Sequence, residues 1–81
     1  MPYIEIKAYP KDEATKQAVA EEINRIFLEK WGCRAEAISI RFAEYPPDKW
    51  DQQVYQGEIL PNADKMRILS GKPQKPSDEA V

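Results

Sequence analysis

Histidine is absent from these 81 residues, and with it go the commonest general base at neutral pH, the Ser-His triads and every zinc site built on imidazole. The single cysteine, Cys33, cannot close an internal disulfide, and one thiol without imidazole is a poor basis for a metal site. Gly32, Gly57 and Gly71, the only glycines, are too scattered to form a loop that cradles phosphate, so a nucleotide cofactor has no seat. No apolar run approaches the ~18 residues of a membrane span, and none follows a basic segment as in a secretory leader. A cytoplasmic chain that touches no membrane is the resulting expectation. Charge of one sign is also missing. The 12 basic and 14 acidic residues are interspersed and leave a net −2, which argues against nucleic acid as a partner.

What is there starts at Pro2. If the initiator Met1 is removed, the Pro2 nitrogen is a secondary amine, which in its neutral form can act as a general base. The strand that follows at once would keep this terminus from fraying. Tyr3 to Tyr9 alternates, with Ile4, Ile6 and Ala8 on one face, and this period of two predicts a strand. Pro10 breaks it. Asp12 is a suitable N-cap for a helix over residues 12–31, in which Val19, Ile23, Ile26 and Phe27 recur at helical spacing. Glu21 and Arg25 stand four apart as an ion pair, and Gly32 suits the position just past the helix end. Ala37 to Glu44 alternates again, with Ile38, Ile40 and Phe42 on one face, so the first half of the chain is a βαβ unit with parallel strands.

After Tyr45-Pro46-Pro47 the signals are shorter. Asp48 to Tyr55 predicts a helical turn that Gly57 ends, and Pro61 opens a last helix from Asn62 to about Leu69, stopped by Ser70-Gly71. The composition from Lys72 onward predicts a disordered tail over residues 72–81, behind a single domain of residues 1–71. The fold class is α/β (α+β). A chain this short buries only about 60–65% of its extended surface, and a two-stranded sheet has two open edges and an uncovered face. A homodimer that joins two βαβ units into a four-stranded sheet meets that need; a hexamer is the less favoured assembly.

Among single residues, Lys11 and Arg41 read either as cations that hold an anionic substrate or as ordinary surface charge, and Trp50 serves equally as a wall over a site or as a core plug. The carboxylates Glu5, Glu44, Asp48 and Asp51 show no spacing that marks an acid/base pair and read as solvated surface. Cys33 follows a helix C-terminus, where the dipole's negative end works against a nucleophilic thiolate.

Taken together, Met1-Pro2 opening a strand, a βαβ unit of this length, Lys11 just before the helix, Trp50 and the segment Glu58-Ile59-Leu60-Pro61 resemble the 4-oxalocrotonate tautomerase superfamily. Within it the likeness, over about residues 2–72, is to the dimeric phenylpyruvate tautomerase branch. The resemblance implies an isomerase that needs neither metal nor cofactor. Its catalytic proline falls on Pro2, its first arginine on Lys11 and its active-site aromatic on Trp50. The second substrate-binding arginine of the hexameric enzymes falls on Ser39, with Arg41 two residues on along the same strand face. The implied small-molecule substrate is therefore an enol or 2-keto acid with one carboxylate and an aromatic or apolar tail. Two other readings stand beside it. One is a hydratase or dehalogenase on the same scaffold, in which a protonated Pro2 is the acid and Glu44 or Asp51 positions water. The other is a non-catalytic βαβ interaction protein, in which Met1 is retained.

Overall fold

The alternating start of the chain forms β1, Tyr3–Ala8, in a computed structural model that describes residues 1–76. Ile4, Ile6 and Ala8 are half-buried, whereas Tyr3 and Glu5 face outward. Asp12 then caps α1, Glu13–Ile26: its carboxylate accepts from the Thr15 N–H at 2.9 Å and from the Thr15 hydroxyl at 2.8 Å. These bonds satisfy donors that the first turn cannot pair internally. The last turn of the helix widens to a π-type turn over Phe27–Trp31 and ends at Gly32, whose φ of 79° needs a residue without a Cβ. Ala35–Ala37 makes one 3-10 turn, and β2, Ser39–Glu44, then lies parallel to β1. Tyr3 stands opposite Ser39, Glu5 opposite Arg41 and Ala8 opposite Glu44.

Three details differ from expectation within this unit. β2 begins at Ser39 and not at Ala37, because the 3-10 turn occupies the first residues of the alternating run. The face of α1 that is half-buried comprises Lys16, Ala20, Ile23, Asn24 and Phe27, while Val19 and Ile26 remain 40% and 49% exposed. Two strands about 4.8 Å apart are a narrow floor, and the apolar stripe of the helix is wider than that floor. Arg25 pairs with Glu22 and with Glu29, at 3.5 Å for the latter, and leaves Glu21 to accept from Gln17 at 3.1 Å.

Contacts divide the chain into two units, Met1–Pro46 and Pro47–Val81. In the second, α2, Pro47–Trp50, runs on through wide π-type turns over Asp51–Ile59 and a 3-10 helix over Leu60–Lys65. Val54, at 3% exposure, is the one buried apolar side chain among the described residues. Gly57 lies inside these turns and does not end them. A glycine stop takes a positive φ, and only Gly32 and Gly71 adopt one. The helix expected to reach Leu69 gives way at Met66, whose backbone is extended. β3, Ile68–Leu69, then pairs antiparallel with β4, Lys72–Pro73. Ser70 and Gly71 have φ of 51° and 80°, the paired left-handed conformation of a tight two-residue hairpin turn, so Ser-Gly here marks a reversal and not a helix stop. Gln74 closes the hairpin by donating its N–H to the Arg67 carbonyl at 2.9 Å and its amide to the Ala63 carbonyl at 2.6 Å. Lys72 and Pro73, expected in a disordered tail, are thus strand; residues 77–81 of that tail lie outside the described residues. No helix among the described residues is long and apolar enough to cross a membrane.

Candidate active site

Pro2 sits where β1 begins, and both it and Met1 before it are tied to the approach of β2. The Ser39 N–H donates to the Pro2 carbonyl at 3.1 Å, and the Met1 ammonium donates to the Ala37 carbonyl at 2.9 Å. The amino terminus is therefore held on the sheet. With Met1 attached, the Pro2 nitrogen is a tertiary amide that has neither a hydrogen nor a basic lone pair; loss of Met1 would leave a secondary amine at this fixed place.

Moving along the strands from Pro2, the face turned away from α1 carries Tyr3 beside Ser39 and then Glu5 beside Arg41. Arg41 is two residues beyond Ser39, roughly 7 Å along a strand. Its Nη1 lies 3.3 Å from Oε2 of Glu5. Pro2, Ser39 and Arg41 thus share one end of the sheet, and Glu5 joins them. Sequence pattern alone classed Glu5 as solvated surface; the parallel register, which sets it opposite Arg41, is what brings it in.

Lys11 is at the other end. It follows the C-terminal end of β1, about 20 Å or more from Pro2 at ~3.3 Å per strand residue. Its backbone N–H donates to Oε2 of Glu44 at 3.1 Å, and the same oxygen accepts from Nζ of Lys16 at 2.8 Å. Lys16 also reaches Glu13 at 2.8 Å, and its side chain is only 16% exposed. The hydrogen bond from Lys16, followed by that from the Lys11 N–H, holds the Glu44 carboxyl below its usual range, and Glu13 and Glu44 together raise the Lys16 ammonium above its own. Lys16 was missed by sequence reasoning, although it lies on the same helical stripe as Ala20, Ile23 and Phe27. Its half-buried place on a stripe of apolar spacing was the available signal.

Trp50 is half-buried at the end of α2 in the second unit. Asp51, one of the two carboxylates considered for positioning water, accepts from the Gln56 side chain there. Glu44, the other, is engaged by Lys16 and Lys11 at the end of the sheet away from Pro2. The Cys33 thiol is half-buried and donates to the Phe27 carbonyl at 3.5 Å. Among the described residues there is no group of three His, Cys, Asp or Glu side chains that could hold a metal ion.

Comparison with known proteins adds the chemistry. No family model matches the chain. Curated relatives do. A tautomerase PptA of Cronobacter sakazakii is 29% identical over 73 residues, which cover 88% of this chain and 96% of that protein. The tautomerase PptA of Pectobacterium carotovorum subsp. carotovorum is 31% identical with the same coverage. That of Escherichia coli O139:H28 is 33% identical over 75 residues, or 90% of this chain and 95% of the relative.

Proposed function

Because the chain belongs to the family of the PptA tautomerases and is an isomerase of that kind, we propose that it interconverts the enol and keto forms of a 2-keto acid with an aromatic or apolar tail, such as phenylpyruvate. Pro2, freed of Met1, is the general base. Its neutral nitrogen takes the enol hydroxyl proton as the O–H pair becomes the C=O bond, and the C=C pair accepts a proton at the neighbouring carbon from the prolinium so formed. The proton count closes without a co-reactant. Arg41 holds the substrate carboxylate, and the Ser39 hydroxyl polarises the oxygen on which charge develops.

The observation that carries this reading is the bond from the Ser39 N–H to the Pro2 carbonyl, which stays when Met1 is lost, because a base must be fixed to be useful. The test combines intact mass with ketonisation of enolphenylpyruvate. Processed protein should be active, with a rate that rises with pH as the prolyl amine loses its proton. A variant that keeps an extra amino-terminal residue should lose ~10²–10⁴-fold while staying folded. A processed protein with no ketonisation, or a blocked one with full activity, would hand the chain to the interaction-module reading.

The same reading includes a homodimer, for which α1 supplies support. Gln17, Ala20, Glu21 and Asn24 line a cleft with Ile38 and Ile40, so this flank of the helix looks toward β2. Helical spacing puts Val19 and Ile26 on the opposite flank, away from β2. A two-fold axis beside the open edge of β1 would extend the sheet to four strands and bring the two Val19/Ile26 stripes together. It would also reverse the ends, setting the partner's Lys11 near Pro2, where a second cation for the substrate would serve.

A further inference from the structure

We propose that Glu5 is a specificity-determining residue: a resident carboxylate on Arg41 that admits substrates with one carboxylate and disfavours those with two. The inference rests on the tautomerase reading and on Arg41 as the carboxylate holder. Its observations are the register that sets Glu5 opposite Arg41, the 3.3 Å approach of their charged groups, and their shared face with Tyr3 and Ser39 next to Pro2.

A guanidinium has five donors in a planar fork. Glu5 reaches it through Nη1, and Arg41 is still 57% exposed on its side chain, which leaves donors open for one incoming carboxylate. The pair Arg41/Glu5 is neutral as a unit. A substrate with one carboxylate therefore shares the guanidinium with Glu5, and its apolar tail lies along a surface that includes the exposed Tyr3 ring, 63% accessible. A substrate with a second carboxylate finds the compensating charge already taken and a like charge close by. Such a juxtaposition is unfavourable, and it acts at the binding step because the charges of substrate and Glu5 are both present before any proton moves. Glu5 is two strand positions from Tyr3 and is neither a base nor a proton donor in the reaction; it acts through Arg41 and through its own field.

The test uses processed protein and two enols, enolphenylpyruvate with one carboxylate and the enol of oxaloacetate with two. Glu5→Gln keeps the shape and removes the charge. Exposed charge pairs are worth ~0.2–1 kcal/mol, so Glu5→Gln is expected to raise kcat/KM for the diacid relative to the monoacid by about 1.4- to 5-fold, with the change in KM and not in kcat. Glu5→Lys should enlarge the shift, and Arg41→Ala should raise KM for both enols. In the Arg41→Ala background, Glu5→Gln should shift the diacid-to-monoacid ratio less than it does in the wild type, because only the field of Glu5 is then removed. Thermal melts of each variant check that the sheet is intact. A monoacid-to-diacid ratio that Glu5→Gln and Glu5→Lys both leave untouched, while Arg41→Ala raises KM, overturns the role of Glu5 and spares that of Arg41. If Arg41→Ala alters neither KM, the carboxylate is held elsewhere and the proposal falls with that reading. Wild-type protein that turns over neither enol removes both.

Discussion

Replacing Val19 and Ile26 together by serine should dissociate the proposed dimer without unfolding the protomer. In one chain these side chains are 40% and 49% exposed. Fully burying a Val or Ile side chain is worth ~1.5–3 kcal/mol, and the part still to be covered is two-fifths of the one and half of the other. Covering both contributes about 1.3–2.7 kcal/mol per protomer and, in a symmetric pair, about 2.7–5.3 kcal/mol in all. At 1.4 kcal/mol per decade the double variant should bind its copy ~10²–10⁴-fold more weakly. Sedimentation velocity or light scattering over a dilution series from high to low micromolar gives the dissociation constant, and circular dichroism follows the fold. The wild type should be a dimer through this range and the variant largely a monomer with its helical signal kept. A wild type that is monomeric throughout, or a variant whose dissociation constant stays within about three-fold of the wild type, refutes the reasoning. So does a loss of stability equal at all concentrations, because that would make the two residues part of the protomer's own core.

Lys11→Ala should raise KM for enolphenylpyruvate if the partner's Lys11 lies near Pro2. Lys11 is too far from Pro2 in its own chain, so mixing the inactive amino-terminally blocked protein with Lys11→Ala protein should restore one complete site per heterodimer. No recovery of KM on mixing would place Lys11 outside the site. Acid should loosen the end of the sheet that holds Lys11. The Glu44 carboxyl lies below its ordinary value in the fold, so its contribution is complete above the ordinary carboxylate range and is lost as pH falls through the folded value. Asp12, lowered chiefly by the Thr15 N–H, acts in the same sense. Glu44→Gln should flatten the acid limb of a Tm-against-pH curve, and an unaltered limb would dismiss this linkage. The raised Lys16 ammonium has the opposite sign. Its contribution is present below the ordinary lysine value of 10.5 and is lost only as pH rises through the folded one, so it should shape the alkaline limb. Cys33→Ser should leave turnover within a factor of about two, because the half-buried thiol is turned to the Phe27 carbonyl at a helix end; a large loss of rate in a folded variant would contradict that placement.

How much of this was legible in the residues depends on the range of the interaction that decides each feature. β1, α1 and β2 could be read from Ile4/Ile6/Ala8, from Asp12 and Gly32 at the two ends of the helix, and from Ile38/Ile40/Phe42, because period and capping are local and act within a few residues. The turn at Ser70-Gly71 was visible as a break but not as a hairpin: the same two residues suit a helix stop and a reversal, and the pairing of Ile68 with Pro73 is what selects between them. Gly57 failed as a stop because a glycine permits a left-handed conformation without imposing one. In the site, Pro2, Ser39 and Arg41 were named from the chain and are gathered at one end of the sheet. Lys11 was also named, and the length of β1 carries it to the far end. No pattern in the sequence paired Glu5 with Arg41 or Lys16 with Glu44, since those contacts join residues 36 and 28 positions apart. They exist only once strand register and helix rotation are fixed. Periodicity tells which residues share a face. Which charges on that face touch is settled by packing two strands and a helix against one another, where a shift of one residue would turn every side chain to the other side.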